Sequence, residues 1–157
     1  MNTTLIAVMP LVYLAVVAIP LITIDIREHR LPNKIVLPFI VMSLVADIGA
    51  SFAGGEWWRL GLALAVAFGI GILGMFANYF DLIGMGDIKL FFGSSLVIGW
   101  FVWWLPLVLV IATLITGIIA VFYQVFIRKA NAGTSVPLGP YAIVLALIIG
   151  TYGVMSI

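Results

Sequence analysis

The chain of 157 residues contains no cysteine and a single histidine, His29. The absence of cysteine excludes disulfides, thiolate metal ligands and a cysteine nucleophile. One histidine alone cannot form a histidine-based metal site, so we expect neither a metal nor a cofactor. Charged residues are also scarce, at 8% of the chain, and the net charge of +1 comes from dispersed cations. This pattern provides no electrostatic surface for nucleic acid.

Apolar residues, by contrast, make up 65% of the chain, and the mean hydropathy is +1.33. A soluble domain is about half apolar and about a quarter charged, so this composition excludes a water-soluble globular fold. A helix that spans a bilayer needs about 20 apolar residues, and several such helices leave no room for a large domain outside the membrane. The N-terminal Met-Asn-Thr-Thr lacks the basic start of a signal peptide, so we expect the first apolar run to be retained.

Polar breaks divide the chain into six predicted spans, which form an all-α integral membrane bundle and a single membrane domain. Span 4 is separated from span 5 near Pro106, because proline suits the first turn of a helix and disfavours helix just before it. Small residues four apart on span 3, such as Ala63 and Ala67, or Ala65 and Gly69, predict close helix packing. The spans cover residues about 4–24, 35–53, 60–80, 88–104, 106–127 and 138–157.

Lysine and arginine counts in short loops predict the orientation of the bundle. The loops after spans 1, 3 and 5 hold all of these cations except Arg59. We therefore expect the odd-numbered loops in the cytoplasm and both termini outside. The tryptophans lie near the two outer loops and are interpreted as an aromatic belt at the membrane interface; they are Trp57, Trp58, Trp100, Trp103 and Trp104.

Two of the acidic residues stand out by their position. Charge within a membrane costs about 2.5–3.5 kcal/mol per residue on insertion scales, so acids in or beside the spans are functional candidates. Asp25 closes span 1 and Asp87 opens span 4, both at the boundary predicted to be cytoplasmic. Asp47 in span 2 either extends toward the outer edge or bonds a neighbouring helix. Glu28 and Glu56 are interpreted as loop charges.

Asp25 and Asp87 can meet in space if spans 1 and 4 are neighbours. Two carboxyls that close cannot easily ionise twice, so the pair shares one proton. The ionised member can take a proton from water while the protonated member polarises a scissile carbonyl, which is peptide hydrolysis without a covalent intermediate. Alternatively, Asp87 is a helix N-cap, and Asp25 pairs with Arg27, Arg30 or Lys34.

Glycines precede Asp87 in the sequence Gly84-Met-Gly86-Asp87. Because glycine lacks a Cβ, the backbone here can adopt unusual dihedrals and let an extended peptide approach closely. A transmembrane substrate must unwind before a protease can act on its carbonyl groups, so such access suits a protease.

At these residues the chain resembles the type IV prepilin peptidases, which belong to the Gly-x-Gly-Asp class of membrane aspartyl proteases. Three blocks, in family order, carry the resemblance. They are Asp25-Ile-Arg27-Glu-His-Arg-Leu-Pro32-Asn33, Gly84-Met-Gly86-Asp87-Ile-Lys89-Leu and Val136-Pro-Leu-Gly139-Pro140-Tyr.

The resemblance implies that Asp25 and Asp87 are the catalytic dyad and that the partner is a precursor of the pilin, pseudopilin or preflagellin type. The basic leader of this precursor would stay in the cytoplasm while its apolar segment lies in the bilayer. Cleavage would fall at the cytoplasmic face of the inner cell membrane. Further residues expected to shape the motif or admit the substrate are Gly84, Gly86, Lys89, Arg27, Pro32, Asn33, Gly139 and Pro140.

Several of these residues also have a physical interpretation. Pro32 limits where span 2 can start and Asn33 is expected to cap it, while Gly139 and its neighbour proline set the start of span 6 near the site. Arg27 and Lys89 either act on the charges of the two acids or contact phospholipid headgroups. Asp81, beside the motif, has no assigned role, and Asp81→Asn is expected to retain most activity.

The chain departs from the larger bacterial members of the family, which carry a cytoplasmic insert with paired cysteines for zinc and in some cases methylate the new N-terminus with S-adenosylmethionine. The lack of cysteine and the short first loop resemble the short form of tight-adherence (Flp) pilus systems or of archaeal preflagellin peptidases. N-methyltransferase activity is therefore not predicted. Two alternatives are an ion-coupled membrane carrier that uses the same aspartates and a non-catalytic assembly subunit of a pilus or secretion machine.

Overall fold

A computed structural model describes residues 2–127 and 137–156, and the chain is helical throughout these residues apart from short connections. The prediction of an all-helical fold is confirmed. Three residues named above lie outside the described residues: Arg128 and Lys129, which were counted among the loop cations, and Val136, the first residue of the third motif. The helices are α1 Asn2–Glu28, α2 Asn33–Gly54, α3 Trp57–Tyr79, α4 Met85–Phe101, α5 Leu105–Phe122 with a π-helix Tyr123–Ile127 after it, and α6 Gly139–Met155.

Helices α1, α2, α3 and α5 are long and apolar enough to cross a membrane, which identifies the chain as a helical membrane protein. Helices α4 and α6 have 17 residues each. At a rise of 1.5 Å per residue they extend over about 25 Å, slightly less than the ~30 Å apolar core of a bilayer. Six spans with both termini outside therefore stay a prediction.

The helices are joined by short connections, so their ends lie at two opposite ends of the bundle. Short loops join antiparallel neighbours, so α1 and α3 end on the side of the bundle where α2 and α4 begin. Asp25 and Asp87 both lie on this side, which we call the dyad end. The first four connections cover residues 29–32, 55–56, 80–84 and 102–104.

Prolines mark where several helices begin. Pro32 precedes α2 with an extended backbone, and Pro106 and Pro140 lie in the first turns of α5 and α6. Proline has no backbone N–H, and this costs nothing in a first turn because the N–H groups there have no partner within the helix. The prediction that Asn33 caps this helix is wrong. Asn33 is the first residue of α2, and no side chain caps that helix.

Helix α4 is the centre of the bundle, because 12 of its 17 residues are buried and it packs against α2, α3, α5 and α6. Small residues on α3 allow the closest approach: Ala63 and Ala67 are fully buried, and Ala63 lies against Gly99 of α4. The packing role predicted for this stripe is confirmed. The neighbouring stripe of Ala65 and Gly69 is exposed instead.

Trp100 corrects the interpretation of the tryptophans as an aromatic belt. Its side chain is buried, and its indole N–H donates a hydrogen bond to Oγ of Ser51 over 3.2 Å. Trp100 therefore joins α4 to α2 inside the bundle. The exposed tryptophans that agree with a belt are Trp57, Trp58, Trp103 and Trp104.

Candidate active site

Asp25 and Asp87 line one pocket of about 360 Å³ at the dyad end of the bundle. The last turn of α1, the connection to α2 and the first turn of α4 form this pocket. The charge on Asp25 acts on Asp87, so the two carboxyls lie within electrostatic range of each other. Six of the ten predicted site residues line the pocket: Asp25, Asn33, Gly84, Gly86, Asp87 and Lys89.

Asp25 is held in place by the start of α6. Its side chain is 4% exposed, and its Oδ2 accepts a hydrogen bond from the backbone N–H of Gly139 over 3.1 Å. The N–H groups of a first helical turn have no partner within the helix and favour negative charge. A Cβ on Gly139 would lie only 2.5 Å from the same oxygen, so this approach requires glycine. Within the described residues, Asp25 forms no ion pair with Arg27, Arg30 or Lys34.

Asp87 is the third residue of α4 and does not occupy the N-cap position. That position belongs to Gly84, where an added Cβ would lie 3.2 Å from Oδ2 of Asp87. The Asp87 side chain therefore turns back toward the N-cap of its own helix, as the side chain at the third helical position does in a capping box. Oδ1 of Asp87 is buried and has no hydrogen-bond partner among residues 2–127 and 137–156. This oxygen can therefore accept or carry a proton.

Leu31 packs where α4 and α6 approach each other beside the pocket. Cβ atoms added to Gly86 and Gly139 would lie 2.9 Å and 3.3 Å from its side chain. Leu31 is buried and lines the pocket, so it forms an apolar wall next to the two carboxyls. Leu31 was not predicted as a site residue, although a single leucine between Arg30 and Pro32, in an otherwise polar connection, was a usable signal.

His29 directly follows the last residue of α1, one helical turn after Asp25. Its backbone adopts a left-handed conformation with φ of 51°, which is a common way to end a helix. The backbone N–H of His29 donates to the carbonyl oxygen of Asp25 over 2.9 Å, and the imidazole is near enough to act electrostatically on the Asp25 carboxylate. This turn, which the sequence did not predict, directs the chain into Leu31.

Lys89 and Asn33 meet at the rim of the pocket. Nζ of Lys89 donates a hydrogen bond to Oδ1 of Asn33 over 2.8 Å and so links α4 to α2. Arg27 is exposed and does not line the pocket, and neither do Pro32 and Pro140, which mark helix starts instead. Of the predicted residues that do not line the pocket, only Gly139 contacts a carboxyl of the dyad.

The remaining acids lie apart from the pocket. Asp81 is exposed in the turn before α4, with φ of 56°. Asp47 is fully buried in α2, and neither of its carboxylate oxygens has a hydrogen-bond partner within the described residues. Both expectations for Asp47, extension to the outer edge and a bond to a neighbouring helix, are therefore wrong. Glu56 forms an ion pair with Arg59 over 3.2 Å.

Comparison with known proteins places this geometry in a family context. A sequence model of the type IV leader peptidase family matches residues 12–121. The chain is 29% identical over 143 residues to the prepilin leader peptidase/N-methyltransferase of Legionella pneumophila, and 30% identical over 138 residues to the protein of that name from Pseudomonas putida. These alignments cover 87% and 83% of this chain but 47% and 45% of the relatives, so the chain spans about half their length. No solved structure matches it.

Proposed function

The chain belongs to the type IV leader peptidase family, and from this premise we propose that it is an aspartic endopeptidase that removes the basic leader from pilin-like or preflagellin-like precursors. The observation that carries the proposal is the convergence of Asp25 and Asp87, from two helices, on one pocket. Oδ2 of Asp25 accepts a hydrogen bond from the backbone N–H of Gly139, and Oδ2 of Asp87 lies beside Gly84 at the start of α4. If Asp87 were only a helix N-cap and Asp25 only the partner of a surface cation, the two carboxyls would not need to share a pocket.

The proposed reaction uses one carboxylate and one carboxylic acid. Two carboxyls within electrostatic range oppose double ionisation, so the pair holds one proton. The ionised aspartate accepts a proton from water as the water oxygen bonds to the scissile carbonyl carbon, and the protonated aspartate donates its proton to the carbonyl oxygen. These two proton transfers give a tetrahedral intermediate with two hydroxyl groups on the former carbonyl carbon. The C–N bond then breaks, and the departing amine takes the proton that the first aspartate gained from water. One hydroxyl of the intermediate returns its proton to the other aspartate, which leaves a carboxylic acid as the product.

The proposed topology places this reaction at the cytoplasmic face of the inner membrane. Of the cations that the structure describes, Arg27, Arg30, Lys34 and Lys89 belong to the dyad end and Arg59 to the opposite end. Loops rich in lysine and arginine stay in the cytoplasm. We therefore propose six spans with both termini outside, so that a basic leader is cut before it enters the bilayer.

The proposal is limited to peptidase activity. The relatives from Legionella pneumophila and Pseudomonas putida are named for both peptidase and N-methyltransferase, but the alignments cover less than half of those proteins. The pocket described here accounts for hydrolysis through its two carboxyls alone, and methyl transfer is not proposed for this chain.

An ion-coupled carrier is less well supported by this geometry. A carrier needs ion ligands that are reached in turn from both sides of the membrane. Asp25 and Asp87 open toward the same end, and Asp47 is buried in α2 and does not line their pocket. A purely structural assembly subunit, in turn, has no need for two carboxyls that share a pocket.

Cleavage of a type IV pilin precursor, co-expressed with the chain in membranes, tests the proposal. Wild type should shorten the precursor, whereas Asp25→Asn and Asp87→Asn should each lose roughly 10²–10⁴-fold in rate, the usual contribution of a general acid or base. Asp81→Asn is the matched control, because the same charge is removed at an exposed position outside the pocket. Asparagine also tolerates the left-handed backbone at this position, so this variant should cleave like wild type.

Protein levels in the membrane show whether each variant folds. An abundant Asp25→Asn or Asp87→Asn variant that still cleaves would make that aspartate structural and the dyad mechanism wrong. A loss in Asp81→Asn equal to that in Asp87→Asn would contradict the assignment of the site. Failure of wild type on several precursors would favour the carrier or the assembly subunit.

A further inference from the structure

A second cavity adjoins the dyad pocket and is almost entirely apolar. It lies between α3 and α5, two helices that barely touch, and has a volume of about 350 Å³. We call it the lateral groove. Its walls are one face of α3 from Ile70 to Ala77 and one face of α5 from Leu107 to Leu114, and its base is formed by Ile88 and Phe91 of α4.

The lateral groove and the dyad pocket share a wall. Ile83 lines the groove, and the next residue, Gly84, lines the pocket. Asp87 lines the pocket, and the next residue, Ile88, lines the groove. The two cavities are therefore separated only by the loop before α4 and the first turn of that helix. An extended peptide that crosses this short segment passes from the groove to the carboxyls.

Each wall of the groove is one face of a single helix. On each wall the lining residues follow the spacing i, i+3, i+4, i+7, which extends over about 10 Å along a helix axis. Leu73 and Ile111 are 68% and 57% exposed, so both walls present side chains to an occupant. Ala77 leaves space on the α3 wall, and small residues let helices approach closely within lipid. Gly74 packs against Ile88 of α4, where an added Cβ would lie 3.0 Å from that side chain.

We propose that the lateral groove docks the apolar segment of the substrate as a helix, while the adjoining leader crosses the start of α4 in extended form to the dyad. This inference rests on the proposed function. A precursor that is cut beside its apolar segment must send that segment from the dyad into the bilayer, and the groove begins at the dyad wall and leads away from it. An apolar helix binds a groove through anchors at i, i+3 or i+4, and i+7 of its own sequence, and the two walls offer apolar side chains to such anchors from both sides.

Cysteine cross-linking tests the docking site without background, because the chain has no cysteine of its own. Ile111→Cys places a thiol in the groove. Ile148→Cys on α6 is the matched control, since Ile111 and Ile148 are 57% and 59% exposed and Ile148 lines neither the dyad pocket nor the lateral groove. Both variants carry Asp87→Asn, which retains uncut precursor. With a pilin precursor that has one cysteine in its apolar segment, oxidation should give about tenfold more cross-linked product at position 111.

The outcomes separate this inference from the proposed function. Cleavage of the same precursor is followed in parallel with the wild-type chain. If the wild type cleaves and the two cross-linking yields are equal, or the Ile148→Cys yield is higher, lipid acyl chains fill the groove and the docking site is wrong. If the wild type cleaves no precursor, the proposed function fails and the docking site fails with it.

A substitution that fills the groove provides a second measurement. Ala77→Trp should raise KM for the precursor about tenfold and leave kcat nearly unchanged, because only the docking of the substrate is impaired. Ala65→Trp adds the same side chain to an exposed face of α3 outside the groove and should leave both constants unchanged. A fall in kcat at constant KM in Ala77→Trp, or equal effects of the two variants, would contradict the docking site.

Discussion

The dyad end and the middle of α2 both bury an aspartate, but they surround the carboxyl differently. Asp25 is 4% exposed and Asp47 is 0% exposed, so burial does not distinguish them. Asp25 accepts a hydrogen bond from Gly139 and faces a pocket that contains a second carboxyl. Asp47 has no hydrogen-bond partner within the described residues and lines neither the dyad pocket nor the lateral groove. Access to water and fixed donors, more than burial, marks the carboxyl suited to hydrolysis.

The position along a helix explains this difference. The first N–H groups of a helix have no carbonyl partner within it, and the dyad end uses two helix starts, with Gly84 as the N-cap of α4 and Gly139 as the first residue of α6. Asp47 lies in the middle of α2, where the backbone donors bond within the helix. In this bundle, helix ends therefore supply donors that helix centres lack.

Among the substitutions that test the difference between Asp25 and Asp47, a side chain added at Gly139 is expected to have the largest effect on precursor cleavage. The Cβ of Gly139→Ala would lie 2.5 Å from Oδ2 of Asp25, so either the carboxylate or the start of α6 must move. Because a misplacement of about 1 Å can cost about 10²-fold in rate, we expect precursor cleavage to fall by about that factor while the protein stays folded.

Gly69→Ala is the control for this experiment, since a Cβ on Gly69 would meet nothing within 4 Å. It should cleave the pilin precursor at the wild-type rate. Wild-type cleavage by Gly139→Ala as well would show that the backbone donor at the start of α6 is dispensable, and the contrast with Asp47 would then rest on water access alone.

An intermediate effect, on stability, is expected at Asp47. Asp47→Leu replaces a buried carboxyl without a partner by an apolar side chain, which removes a penalty of about 1–3 kcal/mol. We expect a higher midpoint of thermal unfolding in detergent and unchanged cleavage. Asp81→Asn removes a charge at an exposed position and tolerates the left-handed backbone there, so it should give no such gain. A folded Asp47→Leu variant that no longer cleaves the precursor would show that Asp47 is needed for cleavage, and Asp47 would then no longer differ from Asp25 in this respect.

The sequence was sufficient to locate the two aspartates because their positions depend on local features. Apolar runs bounded by polar, glycine or proline breaks define the helices, and short connections place the end of α1 beside the start of α4. Helix boundaries were less certain. Helix α4 begins at Met85, before the predicted Ile88, because Gly84 and not Asp87 is its N-cap.

Contacts between distant parts of the chain could not be predicted in this way. The bond from Gly139 to Asp25 joins helices that are far apart in sequence, and no local pattern specifies it. Trp100 was expected at the membrane interface because tryptophan favours that position, yet the central position of α4 buries nearly every face of this helix. Which helix occupies the centre depends on the packing of all six.

The smallest effect is expected at the rim of the pocket, where Lys89 Nζ donates to Asn33 Oδ1 over 2.8 Å. Water competes for both groups at such a site, and exposed polar pairs contribute about 0.2–1 kcal/mol. A double-mutant cycle of Lys89→Met and Asn33→Ala should therefore give a coupling energy of unfolding below about 1 kcal/mol, with Asn33→Ala cleaving within about twofold of wild type. A loss in Asn33→Ala as large as that in Gly139→Ala would mean that a side-chain contact at the rim holds the dyad as firmly as the backbone donors do.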